Sequence, residues 1–354
     1  MVASTRSVSP TRYAPSGAYR LSYRAVQAKR SQGEQENRVN PDMNATAMKA
    51  LAATRYGPID TVSIIDVPRP TPGPGQVLVR VAAAGLNVLD VKLATGVMKD
   101  VMPVEHPFVL GVDAAGTVEA VGEGVTRFAP GDQVVALTYP VGAIAEYTLV
   151  HDGPTITPRP HDLPVETAAA LPTPLLMAAA LTTVELAAGQ NVLLVGGDGA
   201  VASLLLQMLA DTGARTIATA KPEHMSRVAA MASDVIDYTD IDPVKQTLQL
   251  VPGGVDVVID LVNAGPGLAA TAAAARDGGL VISPLGGPPS FDRGVTATYL
   301  GVEQGLDRFA ELVDRVASGG LTVRVTSHPF TQARRTFVDF AAGRTQGSRT
   351  VLTF

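Results

Sequence analysis

The segment from Asn191 to Lys221, NVLLVGGDGAVASLLLQMLADTGARTIATAK, constrains this chain more than any other. Val192 to Val195 is an apolar run too short for a helix, and glycines follow it at once. Leu204, Leu205, Met208 and Leu209 then recur at helical spacing before a second apolar run, Thr216 to Ala220. The pattern predicts a strand, a glycine turn, a helix from about Ala200 and another strand. Gly197, Gly199 and Ala202 have the G-x-G-x-x-G/A spacing that lets such a turn hold a pyrophosphate. On this reading Gly197 permits a tight turn, Gly199 lets the backbone approach the phosphates, and Ala202 lets helix and strand pack closely. The helix aims free N–H groups and its positive dipole end at the same place. The cofactor cradle is therefore expected at Gly196, Gly197, Gly199, Ala200, Val201 and Ala202. Glycine spacing alone also fits a plain strand-turn-helix connection. Asp198 argues against phosphate, unless its carboxylate faces away.

The second strand selects the nucleotide. An NAD site carries an acid at that strand's end to bind the ribose 2′-hydroxyl. Here Ala218, Thr219 and Ala220 lead to Lys221. A cation without an acid favours a 2′-phosphate, and hence NADP(H); an ordinary solvated lysine is the other reading of Lys221.

The chain has 354 residues, enough for two domains, and a net charge of -5. Aromatic residues make up only 5%, and no basic stripe accompanies them in the fold-like part, so nucleic acid is not an expected partner. The absence of cysteine excludes disulfides, thiolate nucleophiles and Cys-ligated zinc, and suits a reducing compartment. His106, His151, His161, His224 and His328 have no metal-ligand spacing, so no metal is expected. The uncharged run Thr167 to Val184 is broken by Pro172 and Pro174, which argues against a membrane span. A cytoplasmic protein is the expectation.

Residues 1–42 differ from the rest: Arg6, Arg12, Arg20, Arg24, Lys29 and Arg30 precede the first acid, Glu34. This segment should be disordered. Its Arg- and Ser-rich, acid-poor composition fits a transit-like peptide, but we favour an upstream start with Met43 or Met48 as the working one. From Met48 to about Leu163 short strands alternate with Gly-, Pro- and Asp-rich turns. From Pro164 to Thr298 strands alternate with helices, at Val192–Val195, Thr216–Ala220, Val235–Tyr238, Val255–Leu261 and Leu280–Pro284. That alternation predicts a parallel sheet covered on both faces. A helix over Leu306–Val316 and a strand at Thr350–Phe354 should follow.

MKALAATRYG, PGPGQVLVRVAAAGLNVLDVKLATG, HPFVLGVDAAGTVEAVGEGVTRFAPGDQVV, GAIAEYTLV, ETAAALP, the nucleotide segment and DGGLVISPLGG occur in an order that resembles the medium-chain dehydrogenase/reductase superfamily. The zinc-free quinone oxidoreductase and enone reductase branch is the best match, over Met48 to Phe354. The resemblance implies an α/β protein with a GroES-like catalytic domain, residues 48–163 and 299–354, around an inserted Rossmann domain, residues 164–298. Zinc alcohol dehydrogenases of the superfamily place Cys where this chain has Asn87, and His-Glu where it has Val112 and Asp113. Without that Lewis acid, reduction of a quinone or an activated double bond is easier than alcohol oxidation.

NVLDVK resembles the N-x-x-D-x-K segment of enone reductases, which implies that Asn87 and Lys92 hydrogen-bond the substrate oxygen and that Lys92 helps protonate the enolate. Alternatives remain for both: Asn87 as a loop-capping amide, Lys92 as a solvated helix-face lysine. Asp90 reads as a helix-cap acid. By the same match Tyr238 lies near the 2′-phosphate, unless it is a packed strand-end residue. Val262 and Asn263 follow a strand at the ligand-binding edge, and Ser283, Leu285 and Gly286 face the nicotinamide. Tyr139, Ile144 and Phe291 are candidate pocket walls. Met177 stands where relatives often have a nicotinamide-contacting threonine. The resemblance implies a small carbonyl or quinone substrate and a homodimer. A non-catalytic nucleotide-binding protein and a biosynthetic enoyl reductase are the rival readings.

Overall fold

The computed structural model describes residues 46–138, 142–345 and 347–354. The segment 1–42 and Tyr139 lie outside the described residues. The first half supplies β1 (Ala47–Ala53), β2 (Ser63–Pro68), β3 (Gln76–Gly85), α1 (Val88–Ala94), β4 (Phe108–Val109), β5 (Asp113–Val121), β6 (Gln133–Leu137), β7 (Tyr147–His151) and β8 (Ile156–Pro158). These read as alternating or β-branched runs closed by glycine and proline turns, and they pair antiparallel, β3 with β5 and β7, β5 with β6, and β6 with β8. The tail joins them: β16 (Arg349–Thr353) runs antiparallel to β3, with β15 (Val325–Pro329) parallel to it on the outside.

The middle of the chain builds a second, six-stranded sheet. After α2 (Val165–Ala169) and α3 (Pro172–Leu181) come β9 (Asn191–Val195), α4 (Ala200–Leu209), β10 (Arg215–Ala220), α5 (Met225–Ala229) and β11 (Asp234–Asp237). Then follow α6 (Pro243–Leu250), β12 (Val255–Asp260), α7 (Pro266–Ala272), β13 (Ala275–Ser283) and β14 (Thr296–Tyr299). The strand order is β11-β10-β9-β12-β13-β14, all parallel. Covered on both faces, its central strands need continuous apolar runs, and NVLLV and VDVVID provide them. The order reverses direction beside β9, so the glycine turn after β9 lies at the crevice where doubly wound sheets take ligands. The sheet is thus the α/β arrangement expected, joined to a β-rich GroES-like unit.

Two elements differ from their sequence pattern. The expected helix at Leu306 begins as a 3-10 turn, Val302–Arg308, and becomes α8 only at Phe309–Ala317. Gly305 faces the Leu176 carbonyl of α3 where a side chain has no room, so tertiary contact sets that turn. β13 starts early, at Ala275, with Gly278 at φ 67 and a register shift against β12. The proline-interrupted run Thr167 to Val184 divides into α2 and α3, with Pro172 opening α3 where a missing N–H costs nothing. Among the described residues no helix is long and apolar enough to cross a membrane.

One core cluster links the two sheets through α3: Ala83, Val112, Leu137 and Val351 share it with Leu175, Leu194, Leu205 and Phe309. α9 (Ala333–Ala341) seals a second cluster through Ala333 and Phe337. The start of α3 is thereby fixed against β5 and β16, where the buried polar groups described below meet.

Candidate functional site

The turn after β9 is held by named hydrogen bonds. Gly196 N–H donates to Thr219 Oγ1 at 2.9 Å, Gly197 N–H to the Thr219 carbonyl at 2.9 Å, and Gly199 N–H to the Gly196 carbonyl at 3.1 Å. The left-handed residue is Gly196, at φ 88, so it and not Gly197 makes the tight turn. Gly197 is needed for another reason: a Cβ there would lie 2.8 Å from Ala218 Cβ and 2.9 Å from the Thr219 carbonyl. Gly199 is exposed, and a Cβ would meet only the Gly196 carbonyl, at 3.3 Å. The first hydrogen bond of α4 is Ser203 N–H to the Gly199 carbonyl. The N–H groups of Ala200, Val201 and Ala202 therefore have no acceptor in the helix. Open space over Gly199 and three orphan donors fit a diphosphate.

Asp198 does not face that mouth. Its Oδ2 accepts from Lys221 N–H at 3.3 Å and lies 3.2 Å from His224 Nδ1. Arg227 Nη2 donates to the Asp198 carbonyl at 3.0 Å. The carboxylate is thus tied to the end of β10. Tyr238 stands nearby, 40% exposed rather than packed, its hydroxyl pKa pushed up by burial and by the negative charges of Asp198, Glu223 and Asp237.

Beyond β12, buried Asp260 organises the loop. Its carboxylate accepts from Val262 N–H, Asn263 N–H, Asn263 Nδ2 and, at 2.5 Å, Thr271 Oγ1. Val262 is thereby presented 59% exposed, directly over Gly196. Beyond β13 the sequence reading needs correction. Ser283 is fully buried and its hydroxyl accepts from Leu285 N–H at 3.1 Å, so it holds the turn and offers nothing to a ligand. Leu285 remains half-buried beside Gly286, whose φ is 73.

At α1, Asn87 is the N-cap and Asp90 Oδ2 accepts from its N–H at 2.7 Å. Asp90 Oδ1 accepts from Gly111 N–H at 3.1 Å. The Asn87 amide is committed elsewhere: Nδ2 donates to Asp113 at 3.0 Å and Oδ1 accepts from Arg349 Nη1 at 3.1 Å. Asn87 is buried, so it has no free donor for a substrate oxygen, and its role here is to position. Arg349 also donates to the carbonyls of Ala170 and Leu86, and its Nη2 reaches Asp113 Oδ2 at 2.7 Å. Thr173 completes the cluster, giving both N–H and Oγ1 to Asp113 Oδ1, at 2.9 and 2.6 Å.

Burial pushes the Asp113 carboxyl up, while Arg349, Thr173 and Asn87 pull against it and sustain the carboxylate. Burial, with the charge of Asp113, raises Asp90 to about 7. Lys92 is half-buried, and that desolvation lowers its pKa. Its ammonium has no hydrogen-bond or ion-pair partner among the described residues. One turn earlier Val88 is 61% exposed, so α1 presents an apolar residue and an unpaired amine on one face.

Ile144 is fully buried in the core with Leu51 and Leu110, and is no pocket wall. Phe291 packs against the cluster of Val281 and Val295. Met177 is half-buried on α3, one turn beyond Thr173. Sequence reasoning missed the roles of Arg349, Thr173, Asp260 and Asp113. The available signal was an ionisable residue inside an apolar run, as in VLGVDAAG and SRTVLTF. Among the described residues no group of three or more His, Asp or Glu side chains is placed to hold a metal ion.

Residues 73–160 match the alcohol dehydrogenase GroES-like domain, and residues 231–351 match the zinc-binding dehydrogenase family. A quinone oxidoreductase of Sus scrofa is 32% identical over 231 residues, covering 62% of this chain and 68% of that protein. The chloroplastic NADPH-dependent alkenal/one oxidoreductase of Arabidopsis thaliana is 32% identical over 266 residues, 71% of this chain and 66% of its own length. The chain spans 62% to 68% of the length of the curated relatives it matches. Among solved structures, the quinone oxidoreductase of Pseudomonas syringae pv. Tomato superposes with a TM-score of 0.77 at 29% identity, over 87% of this chain and all of that one. A mycobacterial protein solved with NADPH superposes with a TM-score of 0.74, also at 29% identity and over the same shares. The chain belongs to the medium-chain dehydrogenase/reductase superfamily, in its quinone oxidoreductase branch.

Proposed function

We propose that the protein is an NADP(H)-dependent, zinc-independent reductase of quinones or α,β-unsaturated carbonyl compounds. The observation that carries this reading is the glycine turn, whose open face at Gly199 meets the orphan N–H groups of Ala200, Val201 and Ala202. Those groups would hold the diphosphate, with Lys221 and Tyr238 on the adenosine side and Val262 and Leu285 further along the crevice. Bound NADPH supplies the hydride. The absence of an acid at the end of β10 supports the phosphorylated nucleotide, as do the NADPH named for one relative and the NADPH complex of a structural neighbour.

The chain's own residues then have to accommodate the charge that develops on the substrate oxygen. Lys92 is the donor for it: an unpaired ammonium with lowered basicity gives up its proton more readily than a solvated lysine. Asn87 and Asp90 position α1, and through it Lys92. The Asp113–Arg349 pair occupies the place that the superfamily's zinc enzymes give to a ligand set, with Asn87 and Val112 beside it, which supports chemistry without a metal. On this reading the protein works in the cytoplasm, with organellar targeting by residues 1–42 the alternative that sequencing the mature N-terminus decides.

The test is NADPH oxidation by the purified chain with a panel of small quinones and enones. Turnover with at least one class is the expected result. Binding of NADPH without turnover of any of them would favour a non-catalytic nucleotide-binding protein.

A further inference from the structure

A cleft of about 350 Å³ opens between the edge of the parallel sheet and the C-terminal strands. One wall carries Glu223, His224 and Arg227, from the segment that follows β10; the other carries Arg324, Thr326 and Ser348. The Arg324 guanidinium has no hydrogen-bond or ion-pair partner among the described residues. Arg227 is half-buried and close enough to Arg324 for the two charges to repel, and its guanidinium donates to a backbone carbonyl, that of Asp198. Neither guanidinium has a carboxylate at salt-bridge distance among the described residues. Glu223 stands at the exposed rim, where water screens it.

Two guanidiniums without an acid between them are an arrangement that a multiply charged oxyanion relieves, because each can donate two N–H groups in a fork. The other polar groups are compatible with such a guest. Thr326 Oγ1 and Ser348 Oγ lie 2.7 Å apart, so one hydroxyl hydrogen serves that pair and the other is free to turn outward. His224 directs Nδ1 to Asp198, which leaves Nε2 on the side of Gly347. His224 and Arg227 are each bonded to Asp198, and Asp198 belongs to the glycine turn. The cleft therefore adjoins the nucleotide cradle.

We propose that this cleft binds a phosphomonoester dianion through Arg227 and Arg324, and that the dianion is the adenosine 2′-phosphate of NADP(H). The proposal rests on the reading that a nucleotide occupies the cradle, and it moves 2′-phosphate recognition from Lys221 to a pair of arginines contributed by both sheets. It also gives a role to the unexpected Asp198, whose carboxylate is turned to the end of β10 and orients His224 at the cleft wall.

The test is titration calorimetry on the full chain with NADPH, NADH, 2′-AMP and inorganic phosphate, for the parent and for Arg324→Ala and Arg227→Ala. Arg324 is exposed, so its replacement leaves the core intact. The expected result is a tenfold or greater loss of NADPH and 2′-AMP affinity in Arg324→Ala, with NADH affinity within twofold of the parent. Equal loss for NADPH and NADH, or no loss for either, overturns the proposal. Inorganic phosphate that binds the cleft and is not displaced by 2′-AMP overturns the nucleotide assignment. If the parent binds neither dinucleotide, the reductase reading fails separately; Arg324-dependent binding of 2′-AMP then still supports the cleft, and its absence overturns it.

Discussion

The guanidinium of Arg349 meets the carboxylate of Asp113 at 2.7 Å, with side chains 7% and 0% exposed. One comes from the last strand and the other from the start of β5, and together they tie α1, α2 and α3 to the sheet through Asn87, Ala170 and Thr173. A buried pair of this kind is strongly destabilised when one member is removed, because the other charge is left uncompensated.

Asp113→Ala and Arg349→Ala should each lower stability by about 3–5 kcal/mol, read from urea unfolding followed by circular dichroism. Arg349→Lys should not restore it, since one ammonium cannot reach the Ala170 and Leu86 carbonyls, Asn87 and Asp113 together. A loss below about 1 kcal/mol, typical of exposed pairs, would show that the pair is not structural.

Asp90 titrates at about 7 in the folded chain, against 3.8 for an ordinary aspartate. For an acid whose pKa is raised by folding, the stabilisation is complete below about pH 4. It is then lost as pH rises to about 7, because the unfolded chain ionises first. The difference amounts to roughly 4 kcal/mol at most. Stability curves for the parent and Asp90→Asn should therefore converge or cross between pH 4 and 7 and run parallel above it. A pH-independent difference would place the Asp90 carboxyl at its ordinary value.

Lys92→Ala should lower kcat by on the order of 10²–10⁴-fold while NADPH affinity stays within twofold. Stopped-flow turnover with calorimetry separates the two effects. A kcat within threefold of the parent would return Lys92 to the status of a solvated helix-face lysine.

Gly197→Ala and Gly199→Ala should behave differently. At Gly197 a methyl group meets Ala218 and the Thr219 carbonyl, so stability should fall by about 1–3 kcal/mol. At Gly199 there is room in the protein, and the cost should stay below about 1 kcal/mol. The added methyl group would then stand where the diphosphate approaches, and NADPH affinity should drop tenfold or more. Unchanged NADPH affinity in Gly199→Ala would argue that the cradle is elsewhere.

The parallel sheet was legible because each of its strands is a short apolar run with a turn or helix pattern on either side. The start of α4 at Ala200 follows from local spacing in the same way. The site was less legible. Asn87 is a plausible oxygen-binding amide by sequence, yet Asp113 and Arg349 consume both of its polar ends. Ser283 looks like a ligand-facing residue at a strand end, yet Leu285 N–H and full burial claim it. Short-range pattern reports which residues alternate in and out; it carries no information on which distant polar group will satisfy a buried one.

By itself, then, the sequence determined the secondary structure of the nucleotide segment, the absence of cysteine chemistry and the small residues that the glycine turn requires. Those depend on contacts between near neighbours and on side-chain size. Only the tertiary structure decided where Asp198 points, that Gly196 rather than Gly197 makes the turn, and that Arg349 and Asp113 meet across 236 residues of chain. Buried charges have to find partners wherever the fold brings them, and that placement is set by the packing of two sheets around α3, not by any run of adjacent residues.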